Sequence, residues 1–430
     1  MYFILIFIYV LLIKRHKKKL FLSKNNKYKK ILSLGASKYR GDLKSINEFE
    51  NFDLYSIDHS WQSLIRRYFC TSNKVRNYLN PKNRSIFYFE SLKFEKFMKI
   101  FFKKLNNIYN FDLIMVVNYR YIDDYFWLKA AKENKIPIVM LYREGLLASS
   151  RVADEVCNRH KIFKNFPVDY LITQNNISKE KFVESKFIEN DKIFISGALR
   201  MNNFFQKIQK RKIVKNTNKI NILYFAIPPN LTLFGGKDYR ELTPKKYEYV
   251  FSNWEPKKLF FDEINNLIID LAKDKYLNVT IRPKLEDLNK NIHKNILEKI
   301  KKNQNSNIKI DAYSDTHELI FNSDIIIGIQ SSSLLEAMIA NKIVILPLFK
   351  NFRQSKHFND MFFKDNLNLF SVHENSSSVI KFINNFKINN NVYDMKNYDQ
   401  KIQLWNKYFF TNKPITEKLY ENNFKKILNI

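Results

Sequence analysis

The stretch DIIIGIQSSSLLEAMIANKIVILP, Asp324 to Pro347, decides how the chain is read. An apolar run, Ile325 to Ile327, ends at Gly328. Three hydroxyl residues follow, Ser331, Ser332 and Ser333, then the helical pattern LLEAMIANK and a second apolar run, IVILP. Strand, small-residue turn, helix, strand is the βαβ unit of a parallel sheet. A helix cap needs one serine, so three in a row ask for a second reason. The amino end of a helix offers free N–H groups and the positive end of its dipole, and hydroxyl donors beside it suit phosphate oxygens. Glu336 sits one turn into an otherwise apolar helix and has two readings. It is either a carboxylate that accepts both hydroxyls of a ribose, or the partner in a capping box.

Working outward, apolar runs alternate with helical patterns on both sides. KILSLGAS, FDLYSID, FDLIMVV, IPIVMLY, VDYLITQN and DKIFISGA read as strands. SLKFEKFMKIFFKKLNNIY, DYFWLKAAKEN and SKEKFVESKF read as helices, the last with a Ser cap. Residues 29–205 are therefore expected to form a first α/β domain. The basic, polar stretch 206–219 is the linker, and 220–412 repeat the alternation in a second domain. Residues 413–430 hold a final helix, expected to pack back on one of the two.

The 430 residues, 45% apolar and 27% charged, suit a globular chain of two or three domains. A net charge of +31 implies anionic partners such as phosphates or an anionic membrane face. The chain is rich in Lys, Asn, Ile, Phe and Tyr and has seven Gly, which matches AT-biased coding. Charge alone therefore does not argue for nucleic acid, and none is expected. Two cysteines exclude a disulfide framework and a Cys-rich zinc site. No metal-ligand spacing, Asp-x-Asp, GxGxxG or GxxxxGK[ST] occurs, so neither metal nor cofactor is expected. Tyr2 to Ile13 is continuously apolar and runs into KRHKKK. As a helix it would span roughly 18 Å against about 30 Å of bilayer hydrocarbon. Residues 1–28 are read as a membrane-associating segment with its basic side toward the cytoplasm; a buried strand is the competing reading.

Gly35, Gly145, Gly197 and Gly328 each fall at or near the carboxyl end of an expected strand. Ligands of open parallel sheets bind there, so these four predict a ligand cleft. TIRPK ends another strand with Arg282 and Lys284, two cations that Pro283 holds to one side. AIPPN, Ala226 to Asn230, ends a further strand. YREGL places Arg143 and Glu144 at a strand end, with Glu144 the candidate general base. Asp58 and His59 are the second candidates.

Together these residues resemble a known group. YSDTHELIFNSDIIIGIQSSSLLEAMIANKIVILP resembles the nucleotide-binding half of GT-B-type glycosyltransferases, and more narrowly the bacterial surface-polysaccharide biosynthesis proteins. Those are related in fold to the glycerophosphotransferases of teichoic acid synthesis and to non-hydrolysing nucleotide-sugar 2-epimerases. Asp324, Gly328, Ser331 to Ser333, Glu336, Ala337 and Pro347 stand at the group's places. KIFISGALRMN resembles its GspR.d segment through Gly197 and Arg200, and IPIVMLYREGL its His-Gly or Glu-Gly loop. The likeness is close over Tyr313 to Pro347, loose over Ile136 to Asn202 and absent from the first thirty residues.

The resemblance implies an α/β chain of GT-B architecture: two Rossmann-like, doubly wound domains facing an interdomain cleft. The second would hold a nucleoside diphosphate through the serine loop, with Glu336 on the ribose. The first would hold the acceptor, with Gly35, Arg143, Gly145, Gly197 and Arg200 at the cleft. Glu144-Gly145 stands where a His-Gly pair is expected, which counts against a histidine base there. The charged triad of an epimerase is not evident. The expected function is a metal-independent glycosyltransferase of capsule or other surface polysaccharide. It would take a nucleotide-activated sugar and a saccharide or lipid-linked acceptor at the inner face of the membrane. The alternatives are a CDP-polyol phosphotransferase, or a non-catalytic membrane-associated protein that binds nucleotide or polyanion.

Overall fold

Parallel strands covered on both faces read as unbroken apolar runs, and LIMV, IVML and IVILP each form a fully buried strand. A computed structural model describes residues 8–16, 28–39, 41–147, 149–210, 219–226, 257–283, 298, 307–354, 358–359, 361–389, 397–410 and 415–429. The chain divides into two compact units: Met1–Leu147 with Val156–Gln206 and Lys407–Ile430, and Ala148–Glu155 with Lys207–Asn406.

The first unit holds β1 (Lys14–Arg15), β2 (Lys29–Leu34), β3 (Phe52–Ile57), β4 (Leu113–Val116), β5 (Ile138–Leu141), β6 (Tyr170–Thr173) and β7 (Ile193–Ile195). They lie in the order β1-β3-β2-β4-β5-β6-β7. Only β1, on the edge beside β3, is antiparallel. The strand order reverses between β2 and β4, which makes that pair the switch point of the sheet. The helices are α1 (Asp42–Ile46), α2 (His59–Phe69), α3 (Arg76–Leu79), α4 (Ile86–Tyr109), α5 (Ile122–Glu133), α6 (Ser150–Ile162), α7 (Asn176–Glu184) and α8 (Met201–Lys210), with the start of α6 and the end of α8 counted to the second unit. α4 begins where the Ser85 side chain accepts from the Tyr88 N–H, and it stops at left-handed Asn110. Its inner face, Phe94, Phe97, Met98, Phe101, Phe102 and Leu105, follows the helical repeat and is buried. Each such side chain contributes about 1.5–3 kcal/mol by leaving water. α7 lacks the expected Ser cap. Asn175, in extended backbone, accepts from the Ser178 N–H at 2.8 Å instead.

The described part of the amino-terminal segment packs on this unit. Tyr9 and Ile13 are buried. The Tyr9 ring meets Phe101 edge-on at 5.1 Å, and its hydroxyl donates to the Trp61 carbonyl at 2.5 Å. Lys14 and Arg15 then form β1. Among the described residues no helix is long and apolar enough to cross a membrane.

His160, on α6, is fully buried and stacks on Phe182 with ring centroids 3.7 Å apart. Burial pushes its pKa down to about 3, and the cation of Arg159 adds to this. The unfolded chain holds the proton more tightly, near the ordinary histidine value. Stability from His160 is therefore complete at neutral pH and is lost as pH falls through about 6.5 toward 3. Between pH 6 and 5 the expected loss is on the order of 1 kcal/mol. Denaturant unfolding at those two values checks this, and His160→Phe should flatten the dependence.

The second unit is a six-stranded parallel sheet: β8 (Ile220–Phe225), β9 (Leu277–Arg282), β10 (Ile308–Ile310), β11 (Ile325–Ile327), β12 (Ile343–Pro347) and β13 (Ser371–His373). Its order is β10-β9-β8-β11-β12-β13. Counted from β8 this is the 3-2-1-4-5-6 winding of dinucleotide-binding sheets, with its switch point between β8 and β11. Asp324 pins that junction. Its carboxylate accepts from the Asn221 N–H, and its own N–H donates to the Asn221 carbonyl, both at 2.8 Å. The helices are α9 (Lys257–Ala272), α10 (Thr316–Phe321), α11 (Ser333–Ile339), α12 (Lys350–Arg353), α13 (Ser376–Asn389) and α14 (Tyr398–Phe409), with the end of α14 counted to the first unit.

The last helix, α15 (Ile415–Leu428), belongs to the first unit. Tyr420, Phe424 and Ile427 join the core of Ile31, Phe49, Phe52 and Leu113. Phe424 meets Phe49 and Phe52 edge-on at 6.1 and 5.8 Å.

Candidate functional site

The serine turn lies at the switch point of the second unit. A Cβ at Gly328 would meet Phe225 Cβ, at the end of β8, and Leu334 Cδ2, each at 3.3 Å. Glycine thus lets the turn lie close against β8. Ser331 Oγ accepts from the Ser333 N–H at 3.2 Å. Ser332 is the formal cap of α11, but its backbone is already helical and its side chain makes no capping bond. One serine therefore does the local work. The hydroxyls of Ser332 and Ser333 have no hydrogen-bond partner among the described residues.

Glu336 stands four residues after that cap, where a capping box needs three. Its carboxylate turns instead to His317 Nε2, 3.3 Å away, and its side chain is 6% exposed. The capping-box reading is thereby set aside. His317 lies in the first turn of α10, which starts where Asp315 accepts from the Glu318 N–H. Sequence reasoning missed His317, although THELIFN lies in the stretch that carries the resemblance. Arg282 ends β9 half-buried, its Nη1 donating to the Asp311 carbonyl at 3.0 Å. Lys284 and residues 227–230 of AIPPN lie outside the described residues.

In the first unit a charged cluster forms beyond the ends of β2, β3 and β4. Lys38 Nζ lies 3.4 Å from Asp124 Oδ2 and 3.5 Å from the centroid of the Tyr121 ring. Asp124 also accepts from Gln62 Nε2 at 2.9 Å. Burial raises the Asp124 pKa, and Lys38 opposes the rise. Asp123 accepts from Arg66 Nε at 2.8 Å and faces His59 Nε2 at 3.5 Å. Burial and then Lys38 lower the His59 pKa, against the pull of the carboxylates, so its imidazole is neutral at pH 7. Asp58 caps α2: it accepts from the Ser60 N–H and hydroxyl, which hold its pKa below the usual carboxylate range.

Glu144 is more than half exposed and pairs with Arg120 Nη2 at 3.0 Å. Arg143 turns inward. Its Nε lies 2.9 Å from Asp42 Oδ2, and its Nη1 donates to the Lys38 carbonyl. Asp42 is buried and its pKa is raised by burial, with Arg143 and Arg200 opposing. Gly35, at φ 66°, makes the turn that carries Lys38. Gly145 lies against Gln174 and Asn175, whose Nδ2 donates to its carbonyl at 2.8 Å. Gly197, at φ 77°, would set a Cβ 2.5 Å from the Phe410 carbonyl oxygen, so it admits a close pass of the chain at 409–410. The cluster thus gathers Lys38, His59 and Asp123 with Asp124, and joins them to Arg143 through the Lys38 carbonyl. Arg120, Asp123 and Asp124 were missed, although NYRYIDDY set an acidic pair just after an apolar strand.

No known protein family matches the chain, and no curated protein does. Among solved structures, a Listeria monocytogenes protein described as a UDP-N-acetylglucosamine 2-epimerase superposes with a TM-score of 0.53 at 11% identity, over 94% of this chain and 97% of that one. The UDP-GlcNAc 2-epimerase of Methanocaldococcus jannaschii gives 0.52 at 14% identity, over 92% and 99%. A glycosyltransferase from Rickettsia africae gives 0.48 at 14% identity, over 94% and 99%. Two doubly wound parallel sheets with such neighbours give the chain the GT-B fold, two Rossmann-like domains, as the sequence resemblance implied.

Proposed function

We propose that the chain is a glycosyltransferase. It would move a sugar from a nucleoside-diphosphate donor to a saccharide or lipid-linked acceptor of a surface polysaccharide such as a capsule, at the inner face of the membrane. The observation that carries this is the pair of hydroxyls on Ser332 and Ser333, which have no partner among the described residues and are set beside Gly328 at the switch point of a nucleotide-type sheet. Those hydroxyls would donate to diphosphate oxygens. Glu336, steadied by His317, would accept the ribose hydroxyls. Arg282 and Lys284 would add positive charge as the diphosphate departs. The names of the structural neighbours point to the same donor class, a UDP-sugar.

On the acceptor side Glu144 is the preferred base, because its carboxylate is exposed and Arg120 orients it. The acceptor oxygen would bond to the anomeric carbon while the anomeric carbon–diphosphate bond breaks. Glu144 would take the acceptor's proton. His59 is the second candidate, favoured by its neutral imidazole and its contact with Asp123. Asp58 is occupied as a cap.

Thermal unfolding with UDP, GDP, CDP and dTDP tests the donor reading. A ligand at a hundred times its Kd adds about 2.7 kcal/mol, a rise of several degrees in Tm. One diphosphate should raise Tm in this way, and four flat curves would end the reading. A rise with CDP followed by release of CMP from a CDP-polyol would point to phosphotransfer instead.

A further inference from the structure

The first unit carries an outward surface that the proposed chemistry does not use. α2 turns Trp61, Leu64 and Tyr68 to solvent at i, i+3 and i+7, with Leu64 56% and Tyr68 76% exposed. The short helix at 8–12 adds Leu11, 70% exposed, and is tied to α2 by the bond from Tyr9 to the Trp61 carbonyl. α4 packs beside α2 through Phe69, which stacks on Phe94 at 4.8 Å, and it exposes Phe89 and Leu92. An outward helix face is ordinarily polar, and this one is largely apolar.

Its charges have one sign. Arg67 lies between Leu64 and Tyr68 on the exposed side of α2, and Lys93 and Lys96 are exposed on α4. The acids of α4 are turned to local partners. Glu90 accepts from the Tyr78 hydroxyl at 2.6 Å and from the Thr71 N–H, while Glu95 takes Lys129. In sequence, the apolar residues 2–7 lead into Ile8, and the basic run KRHKKK follows Ile13.

We infer that this face docks on an anionic membrane surface. Trp and Tyr among leucines, edged by Lys and Arg, match the chemistry of the headgroup layer. A protein partner fits less well, because the cores of protein interfaces are depleted in lysine. The inference deepens the proposed function, since it says where a lipid-linked acceptor would be met. It stands on different residues, so vesicle binding and nucleotide binding can fail separately.

The test is flotation of the full chain with phosphatidylcholine vesicles, with and without phosphatidylglycerol. The wild type should bind the anionic vesicles at least tenfold more tightly than the neutral ones. A Trp61→Ser/Leu64→Ser/Tyr68→Ser variant and an Arg67→Glu/Lys93→Glu/Lys96→Glu variant should each lose that binding. Both should keep the wild-type far-UV circular dichroism and the same nucleotide-induced rise in Tm. If the wild type stays off anionic vesicles, or both variants float like it, the inference is wrong. Sedimentation showing that the face instead mediates self-association of the chain would also overturn it.

Discussion

Replacing Lys38 by methionine is expected to destabilise the first unit by about 3–5 kcal/mol, because it strips a buried carboxylate of its counter-charge. Asp124 is wholly buried, and Lys38 is its only cation within ion-pair distance among the described residues. The neutral amide of Gln62 remains, but it cannot balance a full charge. The contact with the Tyr121 ring is lost as well. The direction of the pH dependence is a second signature. Burial already raises the Asp124 pKa, and removing Lys38 raises it further. The defect should therefore be largest at neutral pH and shrink on acidification, as Asp124 takes up a proton. Denaturant unfolding at pH 7 and pH 5 measures both. A double change, Lys38→Met with Asp124→Leu, should recover most of the loss, since removing both members of a buried pair is often close to neutral. A Lys38→Met protein as stable as the wild type at pH 7 would refute the account.

The second large effect is on ligand affinity. Ser332→Ala with Glu336→Gln should weaken nucleoside-diphosphate binding by about 3 kcal/mol, a little over a hundredfold in Kd. The serine change removes a hydroxyl that no described group uses, so the fold loses nothing by it. The glutamine keeps the volume of Glu336 and can still meet His317. Calorimetry gives Kd, and unchanged thermal unfolding without nucleotide shows that the fold is intact. Ser331→Ala is the informative contrast. Ser331 Oγ bonds the Ser333 N–H, so its loss should lower stability rather than remove a ligand contact. Equal affinity in the double variant and the wild type would sink the diphosphate seat.

The central strands β4, β5, β11 and β12 were legible because they are parallel and buried, so each is an apolar run that needs no partner to be recognised. The serine turn was legible for a related reason: Gly328 and a run of hydroxyls interrupt such a run. The acidic members of the first-unit cluster were not. Asp123 and Asp124 sit at a helical start, and what marks them is Lys38, from the turn after β2, with His59 and Arg66 of α2. The amino terminus shows the same limit. Nothing local distinguishes the inward Tyr9 from the outward Leu11; Phe101, Trp127 and Trp61 do, and they come from three later helices. The cap of α7 went to Asn175 because the chain there is extended, a property of the turn after β6 and not of the serine.

The return of α15 to the first unit sets an order of events during synthesis. Asn423 donates to Ser196 Oγ across a separation of 227 residues. At about 5–20 residues per second, that helix follows tens of seconds after the sheet it covers. Until then Phe49 and Phe52 lack the ring of Phe424 that covers them in the finished protein. The first unit is thus completed only after residues 207–406 of the second have been synthesised, and until then part of its apolar core is uncovered.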